Sequence, residues 1–147
     1  MNAPHARSGL VVFLLALFVG CHHQEPPAMN APLTIDLKAH PDQQFRIDAF
    51  TVPAAARAEF VARMQQNLAF IAAQPGFRRH MVFEKTHGPS AFDIVTVAVW
   101  DSPEAIAAAT EKVGAHFRSI GFDPVAFTAR LGVTAQLGTY RAPADLQ

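Results

Sequence analysis

The sequence lacks most of the features that announce a chemistry. It holds a single cysteine, Cys21, so no internal disulfide can form, and no Cys-x-x-Cys pair exists to bind zinc or run thiol exchange. It has no excess of charge of either sign. Twelve Lys and Arg stand against twelve Asp and Glu, which leaves no overall field to draw the chain to nucleic acid, and no nucleic-acid partner is expected. Motifs for phosphate binding, acyl transfer and metal-assisted hydrolysis are missing, which sets those reaction classes aside. A membrane-spanning run is missing from the N-terminus as well. The apolar stretch Leu10–Val19 covers about 15 Å as a helix, against a hydrocarbon core of about 30 Å.

That short stretch has another use. His5, Arg7 and Ser8 give a polar, basic start, and the apolar run then fits the h-region of a signal peptide over residues 1–20. Leu17-Phe18-Val19-Gly20-Cys21 resembles the lipobox of bacterial lipoproteins, with Phe18 in place of the usual Leu, Val or Ile. The resemblance implies that Cys21 becomes the first residue, is lipidated, and anchors a periplasm-facing lipoprotein in the cell envelope. Two alternatives stay open. The segment could be a plain secretory signal with an incidental cysteine. Alternatively, translation could start at Met29, where Met29-Asn30-Ala31-Pro32 repeats Met1-Asn2-Ala3-Pro4, and the protein would then be cytoplasmic. Residues 22–44, broken by Pro26, Pro27, Pro32 and Pro41, read as a linker whose extended reach is on the order of 70 Å. Leu33, Ile35 and Leu37 alternate there and allow a short edge strand. His22 and His23 have no third ligand in sequence and read as a solvated pair.

From Phe45 onward the pattern becomes periodic, and the apolar content suffices for one core. Residues 45–52 alternate, with Phe45, Ile47 and Ala49 opposite Arg46, Asp48 and Phe50, which predicts a strand. Phe60, Met64, Leu68 and Ile71 recur at three and four residues, predicting a helix over 53–74 that Pro75-Gly76 stops. A second strand is expected over 77–87, with Phe77, Met81 and Phe83 facing away from Arg78, His80 and Val82, and a third over 91–100. Ser102-Pro103-Glu104 writes a helix start, and this helix ends at Val113 or Ser119, before Gly121 to Pro124. Residues 131–139 alternate again as a fourth strand.

The order βαββαβ predicts an α+β, ferredoxin-like antiparallel sheet over residues 45–141. Two helices cover one face only. The third strand carries Val95, Val97 and Val99 on one side and Phe92, Ile94 and Trp100 on the other, so the second face also needs a cover, and a homodimer closing sheet against sheet would supply it.

Pro75-Gly76-Phe77 after an amphipathic helix, followed by Trp100-Asp101-Ser102-Pro103-Glu104-Ala105 at the third strand's end, resembles the antibiotic biosynthesis monooxygenase family, the dimeric α+β barrels. The resemblance covers residues 45–141 and implies a pocket between each sheet and its helices. It also implies a range of activities: cofactor-free oxygenases of polycyclic phenols, haem-degrading enzymes, quinol oxygenases, and proteins without assigned activity. Trp100 matches the family's strand-end tryptophan. Thr96 stands where some oxygenases carry asparagine. For haem degradation, Asp48 stands where an asparagine is needed, Ala109 falls near the place of a helical tryptophan, and only His116 lies near the iron-ligand position, so neither haem nor another cofactor is assigned. His80 could act as general base with Asp48 fixing its tautomer, if their strands are adjacent and in register. Arg78 and Arg79 could clamp an anionic substrate.

The catalytic candidates are therefore Trp100, His80 and Asp48, and the substrate-contacting candidates are Thr96, Phe50 and His116. The expected partner is a small hydrophobic or aromatic ligand. Two functions stay open: a cofactor-independent monooxygenase of an aromatic or quinol-type substrate, and a non-catalytic ligand-binding or sensing module.

Overall fold

The computed structural model describes residues 36–146, so the apolar run, Cys21, His22, His23, Met29, Leu33 and Ile35 lie outside the described residues. Leu37 sits in a turn, where the Asp36 carboxylate accepts from the Lys38 and Ala39 amides at 3.1 and 3.0 Å. The alternation around it therefore makes no strand at this position.

Four strands form one antiparallel sheet: β1 (Gln44–Thr51), β2 (Phe77–Glu84), β3 (Ile94–Trp100) and β4 (Thr134–Arg141), in the order β2-β3-β1-β4. Helices α1 (Arg57–Ala72) and α2 (Pro103–Ser119) provide the crossovers of the ferredoxin-like arrangement. A third helix, α3 (Pro124–Leu131), was not expected. The Asp123 side chain accepts from the Val125 and Ala126 amides, Pro124 takes the first helical position, and Gly132 closes the helix at φ 66°. Gly121 to Pro124 thus both ends one helix and starts another. Leu131 belongs to α3, which is why β4 begins at Thr134.

β2 and β3 are shorter than their apolar composition suggests. The loop between them holds Gly88 at φ 100°, and Asp93 at its end is held in place by the Val52 amide at 2.9 Å and by Lys85. α2 runs through Gly114 to Ser119, with Ser102 capping it by accepting from the Ala105 amide at 3.2 Å.

A bulge changes which residues of β2 face inward. Phe77 pairs with Trp100 but Arg79 pairs with Val99, so Arg78 is an extra residue and the pleat reverses across it. Phe77 therefore shares the inner face with His80 and Val82, while Met81 and Phe83 point outward. The inner face holds two separate clusters. Phe60, Ile94, Val52 and Val133 pack at one end, with Phe50, Met64 and Leu131 against them. Phe77, Trp100 and Ala109 pack at the other, with Leu68, Ile71 and Ala98. On the outer face Phe45, Ile47, Val95 and Val97 are half-buried and Phe83 is 53% exposed.

Gly76 joins α1 to β2 at φ 80°, and a Cβ there would lie 2.5 Å from the Ala105 Cβ on the first turn of α2. Gly76→Ala combines left-handed backbone strain with overpacking and is expected to cost about 2–4 kcal/mol in urea unfolding. Ala105→Gly in the same chain should recover the packing part alone; full stability of Gly76→Ala on its own would contradict this geometry.

Candidate functional site

A cavity of about 580 Å³ lies between the inner face of the sheet and the three helices. Strand register lays out its floor in two rows. Leu137, Asp48, Thr96 and Val82 follow one another across β4, β1, β3 and β2, and Thr139, Arg46, Ala98 and His80 form the next row. Trp100 bounds the floor beyond Ala98. Phe50 bounds it beyond Asp48, its ring 5.1 Å from that of Phe60. α1 contributes Arg63, Met64, Asn67 and Leu68 to the roof, α2 contributes Ile106, Thr110 and Val113, and α3 contributes Phe127 and Thr128. The walls are mostly apolar, with a few convergent polar groups, as small-molecule sites usually are.

α3 is fastened over this space by aromatic contacts. The rings of Phe117, Phe122 and Phe127 follow one another at 5.0 and 5.5 Å, and the Arg63 guanidinium lies 4.7 Å over Phe122. Arg130 of α3 meets the Glu59 carboxylate of α1 with both terminal nitrogens.

Five of the six sequence-derived residues other than Cys21 line the cavity: Trp100, His80, Asp48, Thr96 and Phe50. Trp100 is 4% exposed and packs edge-on against Phe77 at 5.3 Å. Trp100 lines the cavity, and among the described residues its indole N–H has no acceptor. His80 sits half-buried, and burial, followed by the Arg79 charge, holds its imidazole below the usual 6.5. A neutral ring at pH 7 can accept a proton.

The sixth residue, His116, is not part of the site. It stacks flat on Phe70 of α1, with ring centroids 3.9 Å apart and planes 7° apart, and does not line the cavity. Its work is to join α1 to α2. With Asp48 and Ala109 at the two other haem positions, the residues present do not fit a haem held through His116.

The His80–Asp48 pairing fails for a different reason. β3 lies between their strands, and the two occupy different rows, so two inter-strand spacings, about 10 Å, separate them before the diagonal is counted. Asp48 instead accepts from the Arg46 Nε at 2.6 Å. Burial raises its carboxyl above the usual 3.8, against the pull of Arg46 and of the Gly138 backbone. Arg78 is bonded to Asp101 at the exposed bulge, outside the cavity.

The sequence reading missed Arg46, Arg63 and Asn67. Arg46 alternates with Asp48 on the same strand face, and Asn67 lies three residues after Met64, on the apolar stripe of α1. A polar residue on an apolar stripe was the available signal. A smaller cavity of about 240 Å³ opens between α1 and β2, bordered by the Arg57–Glu84 ion pair at 2.8 Å, and His80 lies on the wall that both cavities share.

The family model described as antibiotic biosynthesis monooxygenase matches residues 45–119, just over half of the chain. No match to a curated protein sequence was found. Among solved structures, SnoaB of Streptomyces nogalater, a cofactor-independent oxygenase, is 26% identical, with 69% of this chain and 94% of that chain covered and a TM-score of 0.50. MhuD of Mycobacterium tuberculosis, a heme-degrader solved with two hemes in its active site, is 24% identical with a TM-score of 0.52, covering 71% and 99%. A conserved protein of Methanosarcina mazei reaches 0.54 at 16% identity, covering 73% and 100%. The last two establish likeness of fold.

Proposed function

Because the chain belongs to the antibiotic biosynthesis monooxygenase family, we propose that it is a cofactor-independent monooxygenase of a small aromatic, quinol-type substrate. The observation that carries this is the cavity floor. His80, whose burial favours the neutral ring, lines one mostly apolar space with Thr96 and Trp100, and that space of about 580 Å³ is large enough for a ring system. The likeness to SnoaB, a cofactor-independent oxygenase, supports the same class.

In this scheme His80 takes the phenolic proton, and the O–H bond breaks as an N–H bond forms on the imidazole. The phenolate is then electron-rich enough to reduce dioxygen by one electron, and recombination forms the new C–O bond. Cleavage of the O–O bond leaves one oxygen atom in the product and the other in water. For a hydroquinone the balance is hydroquinone plus O2 giving hydroxyquinone plus water, and all four electrons come from the substrate. Trp100 and Thr96 hold the substrate oxygen, and the apolar walls exclude water from the radical pair. A non-catalytic binding module would use the same cavity without turnover.

Oxygen uptake with a panel of hydroquinones and polyphenols separates the two. An oxygenase consumes one O2 per substrate. His80→Ala should lower kcat/KM by about a hundredfold or more, and Trp100→Phe by about tenfold through the lost hydrogen bond. The rate should fall as pH drops through the pKa of His80, which lies below 6.5, because only the neutral ring accepts the proton. Thermal stabilisation by these compounds with no oxygen uptake would establish the binding module instead.

The second half of the proposal concerns assembly and place. A homodimer that packs outer face on outer face would cover Phe83 and the half-buried valines of β3. Sedimentation of residues 36–147 should give a dimer at micromolar concentration, and Val97→Asp with Phe83→Asp should give a monomer. A wild-type monomer would refute this packing.

Residues 1–20 direct export and Cys21 carries the lipid, which places the domain at the periplasmic side of the envelope. Mass spectrometry of the N-terminus from native membranes should find an acylated Cys21, whereas an unmodified Met29 would make the protein cytoplasmic.

A further inference from the structure

We propose that the cavity selects flat aromatic ligands that carry a carboxylate at one end and a hydroxyl at the other, with Arg46 binding the carboxylate and His80 the hydroxyl. The inference rests on the cavity being the ligand site and deepens the oxygenase reading by naming the substrate class.

The first observation is the half-used guanidinium of Arg46. Its Nε donates to Asp48 at 2.6 Å, and among the described residues its two terminal nitrogens have no partner. A guanidinium that has spent one edge on its own strand keeps a planar two-donor edge, and that edge matches a carboxylate better than it matches a single hydroxyl.

The charge inside the cavity agrees. Arg46 and Arg63 bring two permanent cations to the lining, Asp48 brings one carboxylate, and His80 is neutral. An anionic ligand balances the excess. Glu59 lies near Arg63 but is engaged with Arg130, and Arg79 and Glu84 on β2 and Arg57 on α1 are the remaining charges around His80. Asp48 bonds only the Nε of the guanidinium, which leaves the terminal nitrogens for an incoming carboxylate.

The third observation is the floor between the two groups. Arg46, Ala98 and His80 are neighbours across β1, β3 and β2. Their outer members stand about 10 Å apart at the backbone, and only a methyl group rises between them. Thr96 and Trp100 bound this strip along β3. A flat two-ring system can lie on Ala98 and reach both ends, whereas a bulkier residue there would lift it off the sheet.

Isothermal titration calorimetry with 6-hydroxy-2-naphthoate and 2-naphthol tests this on the purified domain. The hydroxynaphthoate should bind at least about tenfold more tightly. Arg46→Met with Asp48→Leu removes the pair together, so that no buried charge is orphaned, and should erase the difference while 2-naphthol affinity stays within about threefold. Arg46→Lys, which keeps the charge and loses the fork, should retain only part of it. Equal affinity of the two probes for the wild type, or a preference that survives the double variant, would overturn the proposal. Tight hydroxynaphthoate binding without oxygen uptake would sink the oxygenase reading and leave this inference standing. Uptake with 2-naphthol and no carboxylate preference would do the reverse.

Discussion

The cavity exists because β3, one of the two inner strands, is bulky on its inner face only at its ends. On its inner face β3 reads Ile94, Thr96, Ala98, Trp100, and the two large members anchor separate clusters, one around Phe60 and one around Phe77 and Ala109. A hydrophobic residue at each interior position would let these clusters fuse and close the space, as interiors normally pack without voids. Thr96 and Ala98 instead leave a floor of a hydroxyl and a methyl. The helices rest on the two ends like a roof on two walls, and the hollow follows from the side-chain volumes of one strand.

The polar groups obey the same geometry. Arg46 and Asp48 sit two apart on β1, which puts them on one face and lets them meet, whereas Asp48 and His80 are parted by β3. Paired, the two charges tolerate an apolar setting that would reject either alone, at a desolvation cost that hydrophobic residues would avoid. Keeping that cost in the floor of a cavity is easier to understand if one partner also meets a ligand. His80 is placed differently: its burial and the neighbouring Arg79 favour the neutral form, so it adds no fixed positive charge to the floor.

Much of this arrangement was legible in the sequence, because alternation on β1 and β3 fixes which side chains share a face whatever the strands pair with. Asp48 and Phe50 share a face of β1 and Thr96 and Trp100 share a face of β3 by spacing alone, whereas that these two faces line one cavity was not legible. What could not be read depends on relations between elements. Strand order decides whether Asp48 can reach His80, and no local pattern encodes it. The bulge at Arg78 turns Phe77 inward through the pairing of β2 with β3, and pure alternation places that ring on the wrong face. His116 matched a ligand position by spacing, yet α2 lies so that its ring meets Phe70. The case of α3 is different, since Asp123, Pro124 and Gly132 are ordinary start and stop signals that were read only as the end of the preceding helix.

α3 also explains how a sheet with two crossover helices can enclose a site this large. α1 packs along β3 from the Ile94 end to the Trp100 end and α2 joins it at the Trp100 end, while Leu137 of β4 is 58% exposed even with α3 present. The Phe117, Phe122 and Phe127 ladder carries the chain from α2 to α3, and the ion pair of Arg130 with Glu59 ties α3 back to α1. An exposed ion pair contributes little to stability, so α3 is held by its ring contacts and by Phe127 and Leu131 packing on the Phe60 cluster, with Val125 left 75% exposed at the edge of the cavity. On the cavity's rim Val125 of α3 and Leu137 of β4 are the exposed large apolar side chains. The roof of the cavity on that side thus comes from a helix that the two-helix pattern of the sheet does not itself require.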